Sequence, residues 1–234
     1  MTAAKTALPI YMQTAEMLIR DIASGRLIDG ERLPPERDMA ADLGLAVGTL
    51  RKALDDLADK GLLERVQGSG NYVRNKPDAV GVYAFFRLEQ LEGGGLPTAQ
   101  VLSVERMRKP VDLPRFGASD EAHRIRRLRL LSGVPSALEE IWLDGAWAKK
   151  ITPADLSDSL YYFYRKTLGL LIGQVEDRVG VAALPYWGPP ELGGRPGDPV
   201  GFVERWSRTA SGDIAEFSRT WFNPDRARYV ARIR

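Results

Sequence analysis

The sequence has 234 residues, 44% hydrophobic and 27% charged, with a net charge of +2, which is typical of a globular chain of one or two domains. It has no cysteine and one histidine, His123, so disulfides, thiolate chemistry and cysteine-containing zinc sites are excluded, and a Ser-His-Asp triad would depend on that histidine. No apolar run reaches about 18 residues and no signal-peptide pattern opens the chain, so we expect a cytoplasmic protein without a membrane segment, a cofactor or a bound metal.

The first seventy-odd residues carry three short helical patterns. The first places apolar side chains on one helical face and ends near Gly25. In the second, Pro35 suits the first helical turn and Gly44 suits the left-handed residue that ends a helix. In the third, leucines from Leu50 to Leu57 line one side of the helix.

A hairpin pattern follows these helices in residues 62–73, LLERVQGSGNYV. Three short helices and a hairpin predict a winged helix-turn-helix, whose third helix enters the major groove while the wing follows the backbone or the minor groove. On the exposed face of the third helix, Arg51 can bind guanine or phosphate, and Thr49 can bind phosphate or touch a thymine methyl. For Arg51 or Lys52 alone, a solvated helix face is the favoured explanation, but the hairpin that follows at the right distance favours DNA binding.

The segments LPPER, GTLRKAL and KGLLERVQGSGNYV, in this order and spacing, resemble the GntR family of bacterial transcription regulators. The resemblance covers about residues 9–74. It implies binding to double-stranded operator DNA through a phosphate contact, the third helix and the wing tip. The residues implied in these contacts are Arg37, Thr49, Arg51, Lys52, Gln67, Gly68 and Ser69.

The start of the third helix departs from the family pattern. Ala46 stands where the family commonly has a serine that caps the helix, and Val47 stands where it has an arginine that contacts DNA. Gly48 lets the backbone approach DNA closely or simply costs about 1 kcal/mol of helix propensity. The loss of one bidentate base contact is worth about 1–3 kcal/mol of discrimination, so we expect the operator to be read differently from the family norm.

The remaining two-thirds of the chain predict an α+β domain. Residues 75–80 form a polar, proline-containing linker between a winged helix-turn-helix domain over 1–74 and a second domain over 81–234. Six strand patterns separated by turns indicate an antiparallel sheet, and residues 152–169 indicate one or two helices with Thr152 or Ser157 as the N-cap.

Along HRIRRLRLL, Arg127 and Arg129 share a strand face with Ile125 and Leu131. They form either an anion site in a cleft or a solvent-facing pair with cross-strand ion pairs, for example to Glu139, and the second alternative is at least as common. Four segments, RIRRLRLLSGVPSALEEIWL, SLYYFYRKTLG, GDPVGFVERWSRTASGDIAEFSRTWF and PDRARYV, resemble the UTRA domain of the HutC-type branch of GntR regulators.

That resemblance covers about residues 80–234 and implies a chorismate-lyase-like fold that binds a small, often anionic metabolite without catalysis. Two departures concern the pocket: Phe222 replaces a common tyrosine, and prolines interrupt a usual helix in residues 182–199. The residues implied in effector binding are Phe86, Arg127, Arg129, Glu139, Ser159, Tyr161, Glu216 and Phe222.

Together these patterns predict a homodimeric, metabolite-responsive repressor released from a pseudo-palindromic operator by an anionic effector such as a sugar phosphate or a carboxylate. One alternative is a lyase-like enzyme with an appended DNA-binding domain. It is disfavoured by the lone histidine and by the lack of cysteine or an evident metal cluster in the sequence. Another alternative is a structural DNA binder that responds to no effector.

Overall fold

The chain forms two compact units, one built mainly from residues 8–87 and the other from residues 88–228. A computed structural model describes residues 9–23, 25–74 and 85–232. The predicted linker, residues 75–80, lies outside the described residues. Among the described residues, no helix is long and apolar enough to cross a membrane.

The N-terminal unit contains the three predicted helices and the predicted hairpin. Its apolar core is formed by side chains of the first and third helices that are at most 2% exposed: Ala15, Leu18, Ile19, Ile22, Leu50, Leu54 and Leu57. The elements are α1 (Ile10–Ala23), α2 (Glu36–Asp42), α3 (Val47–Asp59), β1 (Leu63–Val66) and β2 (Gly70–Val73), and the two strands pair antiparallel.

The ends of α2 follow from its sequence. Gly44 has φ +65 just after the helix, as predicted for a left-handed stop. Pro35 differs slightly from the prediction, because it is the N-cap of α2 with ψ 138 and not a residue of its first turn. Its extended backbone turns the chain into the helix, which begins at Glu36.

The C-terminal unit is an antiparallel six-stranded sheet with the strand order β4-β5-β6-β9-β8-β7, and a two-stranded sheet pairs β3 with β10. This arrangement confirms the predicted α+β class. The strands are β3 (Leu88–Glu89), β4 (Pro97–Arg108), β5 (Glu121–Leu131), β6 (Val134–Asp144), β7 (Ile172–Ala183), β8 (Pro199–Thr209), β9 (Ile214–Phe222) and β10 (Arg228–Tyr229).

The helical segment between β6 and β7 is shorter and less regular than predicted. It consists of a 3₁₀ turn at Pro153–Asp155, the one-turn helix α4 (Leu160–Phe163) and a π-helical turn at Tyr164–Leu168. Thr152 precedes the 3₁₀ turn as its N-cap. Ser157 does not cap α4; instead the Ser159 hydroxyl accepts the Tyr162 N–H at 3.3 Å.

The two faces of the six-stranded sheet differ in chemistry. One face carries two apolar clusters, one around Leu128, Leu138 and Trp221 and the other around Trp142 and Phe217. The proline-rich segment that follows β7 contributes Leu184 and Leu192 to the first cluster, with only a 3₁₀ turn at Pro190–Leu192. The opposite face carries the polar side chains described below.

Candidate functional sites

The start of α3 lacks a side-chain cap. Ala46 is the N-cap residue and makes no side-chain cap hydrogen bond, although its carbonyl accepts the N–H groups of Thr49 and Leu50 at 2.9 and 3.2 Å. Val47 is the first helical residue and is 36% exposed. The structure therefore places the two departures from the family pattern at the end of α3 that reaches base edges in a winged helix-turn-helix.

Several cations of the N-terminal unit are paired with carboxylates. Arg51 of α3 donates to Glu36 at 3.0 Å, and Arg65 of the wing pairs with Asp55 at 2.6 Å. Within the described part of the chain, the exposed Arg37 and Lys52 have no such partner. The predicted phosphate contact at Arg37 is thus available in the free protein, whereas Arg51 is oriented by Glu36 before DNA is bound.

The wing tip exposes backbone and small side chains. Gln67 and Gly68 are exposed, and Gly68 has φ +75, a conformation that favours glycine. The Ser69 hydroxyl lies 2.7 Å from the Tyr72 hydroxyl, which ties the tip to β2. All three predicted tip residues therefore lie in the turn that joins β1 to β2.

The polar face of the large sheet brings Arg127, Arg129 and Glu139 together. Arg127 lies opposite Glu139 in the β5–β6 register, and directly opposed residues share a sheet face. Arg127 Nη2 lies 2.7 Å from Glu139 Oε2, and Arg129 binds both Glu139 oxygens at 3.0 to 3.2 Å. The two arginines are each only 3% exposed. The ion pair to Glu139 is therefore present, but in a buried cluster and not on a solvent face.

A main-chain carbonyl completes this cluster. The Asp158 carbonyl accepts Nη1 of Arg127 at 3.3 Å and Nη1 of Arg129 at 3.0 Å. The Asp158 carboxylate accepts the N–H of Ala99 on β4 at 2.8 Å. The loop before α4 is thereby fixed to both arginines and to the edge of the sheet.

The electrostatics of Glu139 follow from this geometry. Burial alone would raise its pKa, but the charges and hydrogen bonds of Arg127 and Arg129 outweigh it and lower the pKa to about 2. Glu139 is therefore ionised at neutral pH, and two guanidinium groups share one negative charge. The buried Nε of Arg127 has no acceptor among the described residues.

Glu216 is the centre of a second buried group on the same face. Its carboxylate accepts the Tyr164 hydroxyl at 2.6 Å and the Ser207 hydroxyl at 2.8 Å, and the Tyr161 hydroxyl lies 3.4 Å away. Burial raises the pKa of Glu216, and these hydrogen bonds together with Arg205 and Arg127 only partly oppose the effect. Tyr161 of α4 and Tyr164 of the π-helical turn therefore both lie against the Glu216 carboxylate.

Burial also raises the pKa of Tyr161 and of Tyr164, and the charge of Glu216 adds to the effect in both cases. Both phenols stay protonated at neutral pH and act as hydrogen-bond donors or acceptors. Arg127 lowers the pKa of both Tyr164 and Glu216, so the arginine cluster and the Glu216 group interact electrostatically.

Phe222 lies in the same row of the sheet as Arg129. Ala137 of β6 is paired with Arg129 of β5 on one side and with Phe222 of β9 on the other. On its other side Phe222 is opposite Gly201, where an added Cβ would overlap the phenyl ring. Phe222 therefore shares the polar face with the arginines and adds an aromatic surface there.

The two remaining predicted effector residues have different positions. Ser159 lies at the start of α4, where it caps the helix next to Asp158. Phe86 belongs to the N-terminal unit, and the Arg20 guanidinium carbon lies 5.8 Å from its ring centroid. The role of Phe86 in effector binding remains a prediction.

Several residues of the polar face are absent from the predicted site. Arg205 and Ser207 lie two residues apart on β8 and therefore on one face, which strand periodicity could have indicated. Tyr164 lies in the π-helical turn, within a segment that was predicted to be regular helix, and donates to Glu216. Asp158 acts through its carbonyl, for which the residue type gives no signal.

The comparisons with known proteins identify the family. Residues 10–73 match the bacterial regulatory proteins of the gntR family, and residues 92–228 match the UTRA domain. The chain is 59% identical over 228 residues to the HTH-type transcriptional regulator SmoD of Agrobacterium fabrum, a match that covers 97% of each chain. The chain belongs to the GntR family and carries a UTRA domain.

Two further comparisons also extend over nearly the whole chain. The chain is 29% identical over 229 residues to the mannosyl-D-glycerate transport/metabolism system repressor MngR of Escherichia coli, covering 93% of this chain and 92% of MngR. The crystal structure of YydK from Bacillus subtilis matches with a TM-score of 0.54 at 21% identity, over 97% of this chain and 100% of that chain. The likeness to YydK shows the fold alone.

The family assignment settles the class of function. The GntR-family chain is a transcription regulator with a DNA-binding helix-turn-helix and an effector-binding UTRA domain. It is a regulator and not an enzyme, so the lyase-like alternative is wrong. The roles of the individual site residues remain predictions.

Proposed function

We propose that this regulator is a homodimeric repressor whose operator complex is released by a small anionic metabolite. Two winged domains bind a pseudo-palindromic operator, and the effector shifts the population toward a conformation that binds it less well. The protein acts in the cytoplasm, where the bacterial chromosome lies. The effector carries an anionic group together with hydroxyls, as a sugar phosphate or a sugar carboxylate does.

The buried pair of Arg127 and Arg129 with one shared carboxylate carries this proposal. Two guanidinium groups converge on the one ionised carboxylate of Glu139, and such a cluster of cationic donors suits a bound anion. The unused Nε–H of Arg127 offers a further donor, and forked guanidinium donors match phosphate and carboxylate oxygens.

The Glu216 group supports the hydroxyl part of the effector. A buried carboxylate surrounded by the hydroxyls of Tyr161, Tyr164 and Ser207 can exchange these partners for sugar hydroxyls. Repression and an acidic carbohydrate are also consistent with the name of MngR, a repressor of a mannosyl-D-glycerate system.

A binding experiment on the full chain tests the proposal. A fluorescent DNA fragment from the regulator's own promoter is titrated with protein, and the complex is challenged with sugar phosphates, sugar carboxylates and sulfonates. We expect one class to release the DNA and to raise the melting temperature of the free protein, with a stabilisation that grows with the logarithm of its concentration once this exceeds the Kd. Release by no anion, or by neutral sugars alone, would contradict the proposal.

The variant Arg127→Gln tests whether the release of DNA by the effector depends on the pair of Arg127 and Arg129. We expect operator affinity to be retained and effector affinity to fall by about 10- to 100-fold, because a charge-assisted hydrogen bond is worth about 1.5–3 kcal/mol. Arg124→Gln is the matched control, because Arg124 faces the other side of the sheet and pairs with Glu105. Equal effector responses of the two variants would argue against the site.

A further inference from the structure

Arg32 lies beside the wing and is not among the predicted DNA contacts. Residues 30–33 run antiparallel to β2 as a short third strand of the wing. The Gly30 N–H donates to the Val73 carbonyl and the Leu33 N–H donates to the Asn71 carbonyl, both at 2.9 Å, and Arg32 forms a bridge with Tyr72. This pairing fixes the backbone of Arg32 and places its side chain on the wing face of Tyr72.

The guanidinium of Arg32 lies against Gly70, the residue that directly follows the wing tip. A Cβ on Gly70 would lie 3.3 Å from Arg32 Nε and 3.7 Å from Nη2, a tight approach to a charged group. Gly70 has φ +134, so a side chain there would also strain the backbone. Glycine at this position therefore leaves the space that the guanidinium occupies.

Arg32 also differs in charge pairing from its neighbours. Arg65 and Arg74 of the wing pair with Asp55 and Glu64. Arg32 is exposed and has no carboxylate partner among the described residues. The adjacent Glu31 carboxylate is engaged by the Ile28 N–H at 2.9 Å. An exposed guanidinium without a counter-ion, held by a strand next to the wing tip, suits an external anion.

We infer that Arg32 is a DNA-binding residue that holds a backbone phosphate next to the wing, and that the absence of a side chain at Gly70 leaves room for its guanidinium. The inference rests on the proposed operator binding. Phosphate contacts position a protein on the duplex without reading sequence, so Arg32 contributes affinity and salt dependence to operator and non-specific DNA alike.

Arg32→Gln tests the contact in the full chain. Each phosphate neutralised contributes about 0.9 to the slope of log affinity against log salt concentration, so we expect the slope to fall by about 2 for a dimer with one contact per protomer. Affinity should fall by a similar factor for operator and non-specific fragments. Arg74→Gln is the matched control, because it removes the same charge from the wing but from an arginine that already has a partner. We expect its slope to stay near that of the parent.

Gly70→Ala tests the packing without changing charge. We expect it to weaken DNA binding because the new Cβ would lie 3.3 Å from Arg32 Nε, so the guanidinium must shift. Arg32→Gln combined with Gly70→Ala should bind no worse than Arg32→Gln alone. Gly30→Ala is the control, because Gly30 also has a positive φ, +80, but has nothing within 4 Å of its Cβ position.

The two proposals fail in different ways. If the affinity of the parent for DNA does not depend on salt and the parent does not prefer its operator to other DNA, the proposed function is wrong. If the parent binds but Arg32→Gln leaves the salt slope unchanged, or if the effects of Arg32→Gln and Gly70→Ala simply add, the inference about Arg32 alone is overturned. Melting temperatures within a few degrees of the parent show that each variant is folded.

Discussion

Glu139 is the residue on which the buried arginine pair depends. It accepts hydrogen bonds from both Arg127 and Arg129 while it is only 8% exposed. Removal of one partner from a buried ion pair leaves the other charge uncompensated, which costs more than the intact pair contributes. The free energy of unfolding should therefore be very sensitive to this one carboxylate.

Glu139→Gln should lower the free energy of unfolding by about 3–5 kcal/mol, because two buried guanidinium groups lose the ionised carboxylate that they share. Urea unfolding of the full chain at pH 7 measures the change. Glu105→Gln is the control, because Glu105 forms an exposed pair with Arg124 and should cost less than about 1 kcal/mol. Equal losses in both variants would show that Glu139 has no special role in stability.

The same carboxylate predicts an acid-sensitive stability. The pKa of Glu139 is lowered from 4.5 to about 2, so its contribution is present above pH 4.5 and is lost as the pH falls toward 2. The contribution amounts to about 3 kcal/mol. The free energy of unfolding of Glu139→Gln should therefore change less between pH 5 and pH 2 than that of the parent.

At the scale of the element, α3 begins without a capping side chain. Ala46→Ser should raise the free energy of unfolding by about 0.5–2 kcal/mol, because the hydroxyl can accept an unpaired N–H of the first turn. Ala58→Ser is the control inside the same helix, where serine should be neutral or mildly destabilising. Thermal unfolding of the parent and of the two variants measures the change in stability. An equal effect of serine at both positions would argue against capping.

Val47 gives α3 a second testable property. Val47→Arg places a guanidinium on the exposed first residue of the helix, where it can pair with guanine. We expect a changed preferred operator sequence in binding-site selection from random DNA. Val111→Arg adds the same charge to the fully exposed Val111 in the other compact unit, and it should select the parent's sites. Identical sites for Val47→Arg and the parent would contradict the prediction.

The sequence predicted the elements better than the contacts between them. Period-two patterns identified β4 to β9, and the leucines of α3 identified the third helix, because one buried face dictates the residue types. The placement of α4 was less accurate, since Ser157 and Ser159 both suit an N-cap and the π-helical turn has no periodic pattern. Burial of Arg127 and Arg129 could not be predicted, because it depends on how Asp158 and α4 cover the sheet.

At the scale of the whole molecule, the proposed dimer on a pseudo-palindromic operator requires a defined spacing between the two half-sites. Insertion of about 5 bp between the half-sites turns them to opposite faces of the duplex, and insertion of about 10 bp restores the face. We expect the first insertion to weaken binding by more than ten-fold and the second to recover part of it. Gel-shift titration measures the affinity for both operators. An affinity that does not change with the spacing would indicate that the winged domains bind independently.

The Asp158 carbonyl has a consequence for how this regulator can evolve. Its acceptor for two arginines belongs to the peptide backbone, so any amino acid at position 158 can supply it. Relatives could exchange this residue freely and still hold the loop on the arginine pair. Substitution at position 158 would then mainly alter the link from the loop to the Ala99 N–H at the sheet edge, while the proposed anion-binding pair stays the same.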